Sequence, residues 1–220
     1  MVDLVLLPGL AADHRLFDHQ VGALNGRVLV PEWPAVAPGE SLAAFARRLA
    51  DSLPSPVPDV VGGASFGGMV ALEVAAVLRP KAVVLLGSCT TPLAIAPVLR
   101  AAGRLAGALP TEFFRARPWT SPLVLPRFGR LETPERRLFW SMASGTPPTF
   151  LRWGCRAVLS WRPTPVAVPV FHLHGSLDRI IPARRVRATE LVEGGGHLLS
   201  LTHPVATSEF LARVLADAVA

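Results

Sequence analysis

Val57-Pro58-Asp59-Val60-Val61-Gly62-Gly63-Ala64-Ser65-Phe66-Gly67-Gly68-Met69-Val70-Ala71-Leu72-Glu73-Val74-Ala75-Ala76-Val77-Leu78 decides how the rest of this chain is read. A short apolar strand at Val60 and Val61 runs into a glycine-rich turn, and an amphipathic helix from Met69 to Leu78 follows, ending at Arg79-Pro80. Within the turn, Gly63-Ala64-Ser65-Phe66-Gly67 fits G-x-S-x-G. In that pattern a serine sits on a sharp strand-to-helix turn, and glycines on both sides let the backbone make it. Ser65 is the candidate nucleophile.

Other readings of the stretch fare worse. As a membrane span it is interrupted by four glycines and carries Ser65 and Glu73, a poor composition for hydrocarbon. As a dinucleotide site, Gly62-x-Ala64-x-x-Gly67 is degenerate, and the next strand, Ala82 to Leu86, ends in Gly87-Ser88-Cys89 with no carboxylate to hold a ribose. As a phosphate loop it lacks the Gly-Lys-Ser/Thr ending. A tight turn without chemistry stays open until partner residues are found elsewhere.

Working outward, 220 residues of which half are hydrophobic suffice for one core, and no long polar low-complexity tract divides the chain. Asp3 to Leu7 reads as a buried strand feeding Pro8-Gly9-Leu10-Ala11-Ala12. A helix from about Asp13 through Leu24 is stopped by Asn25-Gly26, and Arg27 to Val30 forms a second strand. Ser41 caps a helix with Leu42, Phe45, Leu49 and Leu53 on one face, and Pro54 to Pro58 connects it to the strand before Ser65. Strands alternating with helices predict a parallel sheet covered on both faces.

The alternation stops at Thr90. Helical runs take its place at Val98 to Leu109, at Glu112 to Arg117, from Thr133-Pro134-Glu135 to Gly145, and at Phe150 to Trp161. Strands resume with Val168 to His172 and Ala188 to Val192, and a last helix covers about Pro204 to Val219. The expected organisation is core residues 1–89, a helical insertion at 90–165, and core residues 166–220. Four of the five tryptophans lie in the insertion.

The net charge of +6 is also concentrated there, since Thr90 to Pro165 carries eleven arginines against three glutamates. Lysine occurs once in the whole chain, which indicates a bias towards arginine and not a selected basic stripe, so nucleic-acid binding is not expected. The amino terminus has no basic segment and too short an apolar run for a signal peptide, and the expected compartment is the cytoplasm. Cys89 and Cys155 form neither a disulfide framework nor a metal knuckle and read as buried thiols.

An elbow serine needs a base to take its proton and an acid to hold that base, both from strand ends on the same side of the sheet. Asp178 lies in His174-Gly175-Ser176-Leu177-Asp178, after the strand that follows the insertion. His197 follows the next strand in Glu193-Gly194-Gly195-Gly196-His197. His203 is a weaker candidate for the base, because beside Pro204 it reads as a first-turn helix residue. His172 and His174 share one strand face by their spacing, yet no third ligand cluster accompanies them, so hydrogen-bonded packing is the expected role. Asp13 and His14 either line the site or cap a helix.

The ordered set Leu7-Pro8-Gly9-Leu10, Gly63-Ala64-Ser65-Phe66-Gly67, His174-Gly175-Ser176-Leu177-Asp178-Arg179-Ile180-Ile181-Pro182, and Gly196-His197-Leu198-Leu199 leading to His203-Pro204 resembles the α/β-hydrolases. The resemblance is to their small bacterial serine esterases with a helical cap, similar to carboxylesterases of the pimeloyl-acyl-carrier-protein methyl ester type. It implies Ser65 as nucleophile, His197 as base and then acid, Asp178 as the group orienting His197, and an oxyanion hole from the backbone N–H groups of Leu10 and Phe66. It implies no cofactor and no metal.

The fold it implies is a mostly parallel sheet of about six strands with helices on both faces, without the antiparallel strands that commonly precede the first one. The edge at Arg27 to Val30 is then open to a partner subunit, as in a homodimer. Pro8-Gly9 stands where relatives carry His-Gly, but the expected donor is the following amide. The implied activity is cleavage of carboxylic esters of short to medium acyl chain through an acyl-enzyme. Thioesterase or acyltransferase action, action on an acyl-carrier methyl ester, and ligand binding without catalysis are the alternatives.

Overall fold

The computed structural model describes residues 3–24, 28–53, 55–106, 109–114 and 125–219. In chain order the elements are β1 (Leu4–Leu7), a 3-10 turn (His14–Phe17), α1 (Asp18–Ala23), β2 (Val28–Leu29), α2 (Leu42–Asp51), β3 (Val60–Ala64), α3 (Phe66–Leu78) and β4 (Ala82–Leu86). After these come α4 (Pro97–Ala106), α5 (Thr133–Gly145), α6 (Pro148–Ser160), β5 (Val170–Gly175), β6 (Glu190–Val192), α7 (Leu199–Thr202) and α8 (Pro204–Val219).

The six strands form one sheet in the order β2-β1-β3-β4-β5-β6, and every pairing is parallel. Successive side chains of a strand point to opposite faces, so the buried apolar runs of β1, β3 and β4 feed two cores at once. Val5, Leu7, Val61, Val83 and Leu85 pack with α2 and α3 on one face. Leu4, Leu6, Val60, Val84 and Leu86 pack with Leu16, Phe17 and the α8 residues Phe210 and Leu211 on the other. Continuous hydrophobic strands are what a parallel sheet covered on both faces requires.

The central stretch differs from its sequence reading in two ways. The strand does not stop at Val61 but runs through Gly62 and Gly63, which pair with Val84 and Leu85 on one side and Leu6 and Leu7 on the other. The helix starts at Phe66, three residues before the expected Met69, and is not amphipathic, since Phe66 to Ala75 are buried on every side. The reason is position: α3 lies between the sheet and α2, with α6 also against it. Its one buried carboxylate, Glu73, accepts hydrogen bonds from Trp161 Nε1 (2.8 Å), Thr164 N (2.9 Å) and Thr164 Oγ1 (2.7 Å). A buried carboxylate needs hydrogen-bond partners to offset its lost hydration, and these three anchor the end of the insertion to the core.

Boundaries elsewhere shift for local reasons. Asp13 caps a 3-10 turn before α1 and not the α-helix itself; Asn25 and Gly26, the expected stop, lie outside the described residues. The run from Glu112 is a 3-10 turn at Thr111–Phe114, and its continuation to Arg117 is likewise outside them. The third inserted helix is capped by Glu132, one residue before Thr133, through a reciprocal bond with Glu135. β5 extends to Gly175, beyond the expected end at His172, because His174 and Gly175 pair with Leu191 and Val192 of β6. Short α7, absent from the sequence reading, follows His197 directly.

Candidate active site

In an open α/β sheet, ligands bind beyond the carboxyl ends of the strands where the chain reverses its direction of travel across the sheet. Here the chain goes outward from β1 to β2 and returns to β3 on the other side of β1, so the reversal falls between the loop after β1 and the turn after β3. Those two segments hold Leu10 and Ser65.

Ser65 has φ 51° and ψ −116°, a left-handed backbone that a residue with a Cβ adopts only under constraint. The constraints are visible. Ser65 N donates to Leu86 O at 3.0 Å, and Ser88 Oγ donates to Ser65 O at 2.6 Å. The turn also needs its flanking glycines for space, since a Cβ on Gly67 would overlap the carbonyls of Leu7 and Pro8, and one on Gly63 would overlap Gly67. This holds the Ser65 side chain out from the sheet end, with Phe66 N–H at the start of α3, where the helix itself offers that amide no acceptor.

His197 Nε2 lies 2.8 Å from Ser65 Oγ, and His197 Nδ1 lies 2.7 Å from Asp178 Oδ2. The carboxylate can only accept, so Nδ1 carries a proton and Nε2 presents its lone pair to the serine hydroxyl. Asp178 is buried, and its other oxygen accepts from the amides of Ile180 (2.8 Å) and Ile181 (2.9 Å). Burial pushes this carboxyl up, but the charge and hydrogen bond of His197, the Ile181 amide and His174 outweigh it and leave its pKa below the usual carboxylate value. Three residues from three strand ends thus meet in the order read from the chain. His203 does not join them; its Nδ1 lies 2.9 Å from Thr202 Oγ1.

A family model described as the alpha/beta hydrolase family matches residues 4–210. The chain belongs to the α/β-hydrolase family. A search of curated protein sequences finds no match. Among solved structures, a thermophilic esterase from Thermogutta terrifontis is similar at 20% identity and a TM-score of 0.79, covering 98% of this chain and 89% of that one. An esterase from Exiguobacterium antarcticum is similar at 16% identity and TM-score 0.77 (97% and 91% covered), and an enol-lactonase from Burkholderia xenovorans at 18% and 0.75 (98% and 92% covered). At these identities the likeness is one of fold.

Several contacts around this hydrolase's site were not legible in the sequence. His174 Nε2 is 2.7 Å from Ile181 O, and a carbonyl only accepts, so His174 carries its proton there. His174 Nδ1 is then free to accept from His172 Nε2 at 3.0 Å. The pair therefore holds the carbonyl of Ile181, the residue whose own N–H bonds Asp178, which gives the expected packing role a specific content. Burial pushes the His172 pKa down to about 3, with His174 adding to the effect, so His172 is neutral near pH 7. From the insertion, Phe128 O accepts from His197 N at 2.8 Å, and the Phe128 ring lies 5.6 Å from the imidazole.

Behind Phe66, the rings of Trp33 (5.4 Å), Phe150 (6.0 Å) and Trp153 (6.0 Å) surround its side chain and immobilise the residue expected to supply one amide donor. Leu10, the other expected amide donor, has its side chain against Gly154 of α6. A cavity of about 190 Å³ opens on Ser65 between the sheet end and the inserted helices α4 and α6. Asp13 and His14 do not line the cavity that opens on Ser65. Asp13 caps the turn through Arg15 N at 3.0 Å, and both line a separate cavity of about 590 Å³. Among the described residues no helix is long and apolar enough to cross a membrane.

Proposed function

We propose that this α/β-hydrolase cleaves carboxylic esters through an acyl-enzyme formed on Ser65. The observation that carries the reading is the unbroken chain from Ser65 Oγ to His197 (2.8 Å) to Asp178 (2.7 Å) beside an apolar cavity. Both distances are within direct proton-transfer reach, and the tautomer imposed by Asp178 is the one a general base needs.

In this mechanism Ser65 Oγ attacks the ester carbonyl as its proton moves to His197 Nε2. The carbonyl oxygen becomes anionic and is met by the amides of Leu10 and Phe66, both held by packing before the substrate arrives. Collapse of the tetrahedral intermediate breaks the bond to the leaving alcohol, which takes the proton from His197. Water then enters, gives a proton to His197, attacks the acyl-enzyme, and releases the acid while Ser65 recovers its hydrogen. Asp178, ionised because its partners outweigh its burial, stabilises the imidazolium in both half-reactions. The insertion at 90–165 serves as a cover that walls the acyl side of the site.

The test is labelling with a fluorophosphonate followed by peptide mass spectrometry, with turnover of p-nitrophenyl acetate and butanoate measured beside it. One label per chain at Ser65, with ester turnover that the label abolishes, is the expected result. A label on any other residue, or turnover that survives stoichiometric labelling of Ser65, overturns the proposal.

A further inference from the structure

Three cavities among the described residues differ in their charged groups. That of about 450 Å³ is lined by Glu40, Arg152 and Arg156, and that of about 590 Å³ by Asp13, His14 and Glu32. The smallest of these, about 190 Å³, reaches Ser65. Its walls are Leu10, Met69, Ile95, Leu99, Val158 and Leu159 with other apolar groups, and among the described residues its one ionisable lining side chain besides Ser65 is Cys155. Burial pushes that thiol up to about 11, so it is neutral.

From this contrast, and resting on the assignment of Ser65 as nucleophile, we infer that the hydrolase takes esters of short, uncharged aliphatic acids, with the upper limit on chain length set by Leu99, Gly103 and Leu159. Two quantities support it. At about 190 Å³ the cavity is smaller than the sites of about 300 Å³ and more that take drug-sized ligands. A carboxylate at the far end of the acyl chain would lie against leucine and isoleucine with no cation among the described lining residues to meet it, a placement that costs far more than the burial of the methylenes returns. Acids bearing a second carboxylate are therefore excluded from this side of the site.

The far wall is where α4 meets α6. A Cβ placed on Gly103 would stand 2.9 Å from Leu159 Cδ1, so the two residues close the cavity against each other. Leu159→Ala removes part of that wall, whereas Gly103→Val presses Leu159 inward.

The experiment is kcat/KM for p-nitrophenyl esters from acetate to dodecanoate, with the mono-p-nitrophenyl ester of adipic acid set against the hexanoate. Each added methylene should raise kcat/KM by about fourfold while it is buried, with a maximum between butanoate and hexanoate and a decline from octanoate onward. The adipate ester should be slower than the hexanoate by about 100-fold or more. Leu159→Ala should move the maximum to longer chains by about two carbons, and Gly103→Val should move it to shorter ones. Inhibition of the unmodified protein by alkylphosphonates of graded length should show the same maximum, which keeps the test independent of either variant's folding.

A rate still climbing at dodecanoate, an adipate ester within tenfold of the hexanoate, or a maximum unmoved in a folded Leu159→Ala protein would each overturn the inference while Ser65 labelling and ester turnover stood. Absence of both labelling and turnover would overturn the proposed reaction, and this inference with it.

Discussion

The sheet ends and the inserted helices both contribute to the site, but they are built differently. At the sheet ends, each candidate catalytic group is held by short backbone or side-chain hydrogen bonds within a buried frame: Ser65 by Leu86 O and Ser88, Asp178 by two amides, and His197 by Asp178. The insertion contributes mostly apolar surface, together with a few polar attachments to the core such as Phe128 O to His197 N and Trp161 to Glu73. α4 presents exposed Val98 and Leu105, whereas β1, β3 and β4 are wholly buried. The lesson is a division of labour. On the proposed reading, chemistry that needs sub-ångström placement would rest on the close-packed parallel sheet, and selection among acyl groups on a looser wall that can change without disturbing the reacting atoms.

If that division holds, damage at the sheet ends should appear in kcat and damage in the insertion chiefly in substrate preference. The largest effect is expected for Ser65→Ala, which should lower ester turnover by about 10⁴-fold or more with an unchanged circular dichroism spectrum. Residual turnover within 100-fold of the unmodified protein would move the nucleophile elsewhere. Next is Asp178→Asn, whose amide favours the wrong tautomer of His197 and should cost about 10³- to 10⁴-fold in kcat with KM within a few-fold. A loss carried mainly by KM would mean that Asp178 serves binding.

Gly129 sharpens the boundary between the two regions. It has φ 102°, and a Cβ there would approach Gly196 Cα at 2.8 Å, so it fits the insertion backbone against the loop bearing His197. Gly129→Val should displace that loop and lower kcat by roughly 10- to 100-fold, as about an ångström of misplacement does, while the preferred chain length stays the same. A shift in preference without loss of kcat would show that this contact belongs to the pocket and not to the base.

A smaller effect concerns acid stability. A histidine near 6.5 when unfolded and near 3 in the folded protein means that the unfolded chain binds more protons between those values. Stability is therefore full above about pH 6.5 and declines as pH falls towards 3. Asp178 adds a loss of its own only below the unfolded carboxylate value, because its folded pKa is lowered. At pH 4.5 the His172 contribution is about 3 kcal/mol, or roughly 6 to 12 °C in the thermal midpoint. His172→Gln, which keeps a donor for His174, should flatten the midpoint between pH 7 and 4.5; an unchanged slope would assign the acid sensitivity to other groups.

The smallest effect belongs to the insertion's charge. Reversal of Arg136 and Arg137 on α5 should leave turnover of a neutral ester unchanged within twofold at any salt concentration, since neither residue lines the cavity at Ser65. If the arginines recruit an anionic acyl carrier, only the carrier-bound substrate should slow, and more steeply at low salt, where screening is weak.

Much of this site was legible because the motifs are local and their order follows the sheet. The elbow at Ser65, the loop carrying Asp178 and the glycine-flanked His197 are each recognisable from a few neighbours, and each falls at the end of a strand that the apolar pattern also marks. The same neighbours misled at Met69 to Leu78, where local pattern suggested one buried face but α2, α6 and the sheet together bury nearly all of α3. They were silent on Glu73, which looks like an ordinary helix carboxylate until Trp161 and Thr164, about ninety residues away, close over it.

By itself the sequence determined which residues can do the chemistry, where the strands and most helices lie, and that two of the fold's segments enclose an insertion, because these follow from side-chain type, backbone propensity and hydrophobic period along the chain. Only the tertiary structure decided that the cavity beside Ser65 is small and, among the described residues, lined by no charged side chain, that His174 secures the Asp178 loop through Ile181 O, and that Phe128 of the insertion holds the backbone of His197. Those features depend on which surfaces meet across a hundred residues or on carbonyls that carry no side-chain label. Close packing sets such contacts by the combined shape of several elements, which no single stretch of sequence encodes.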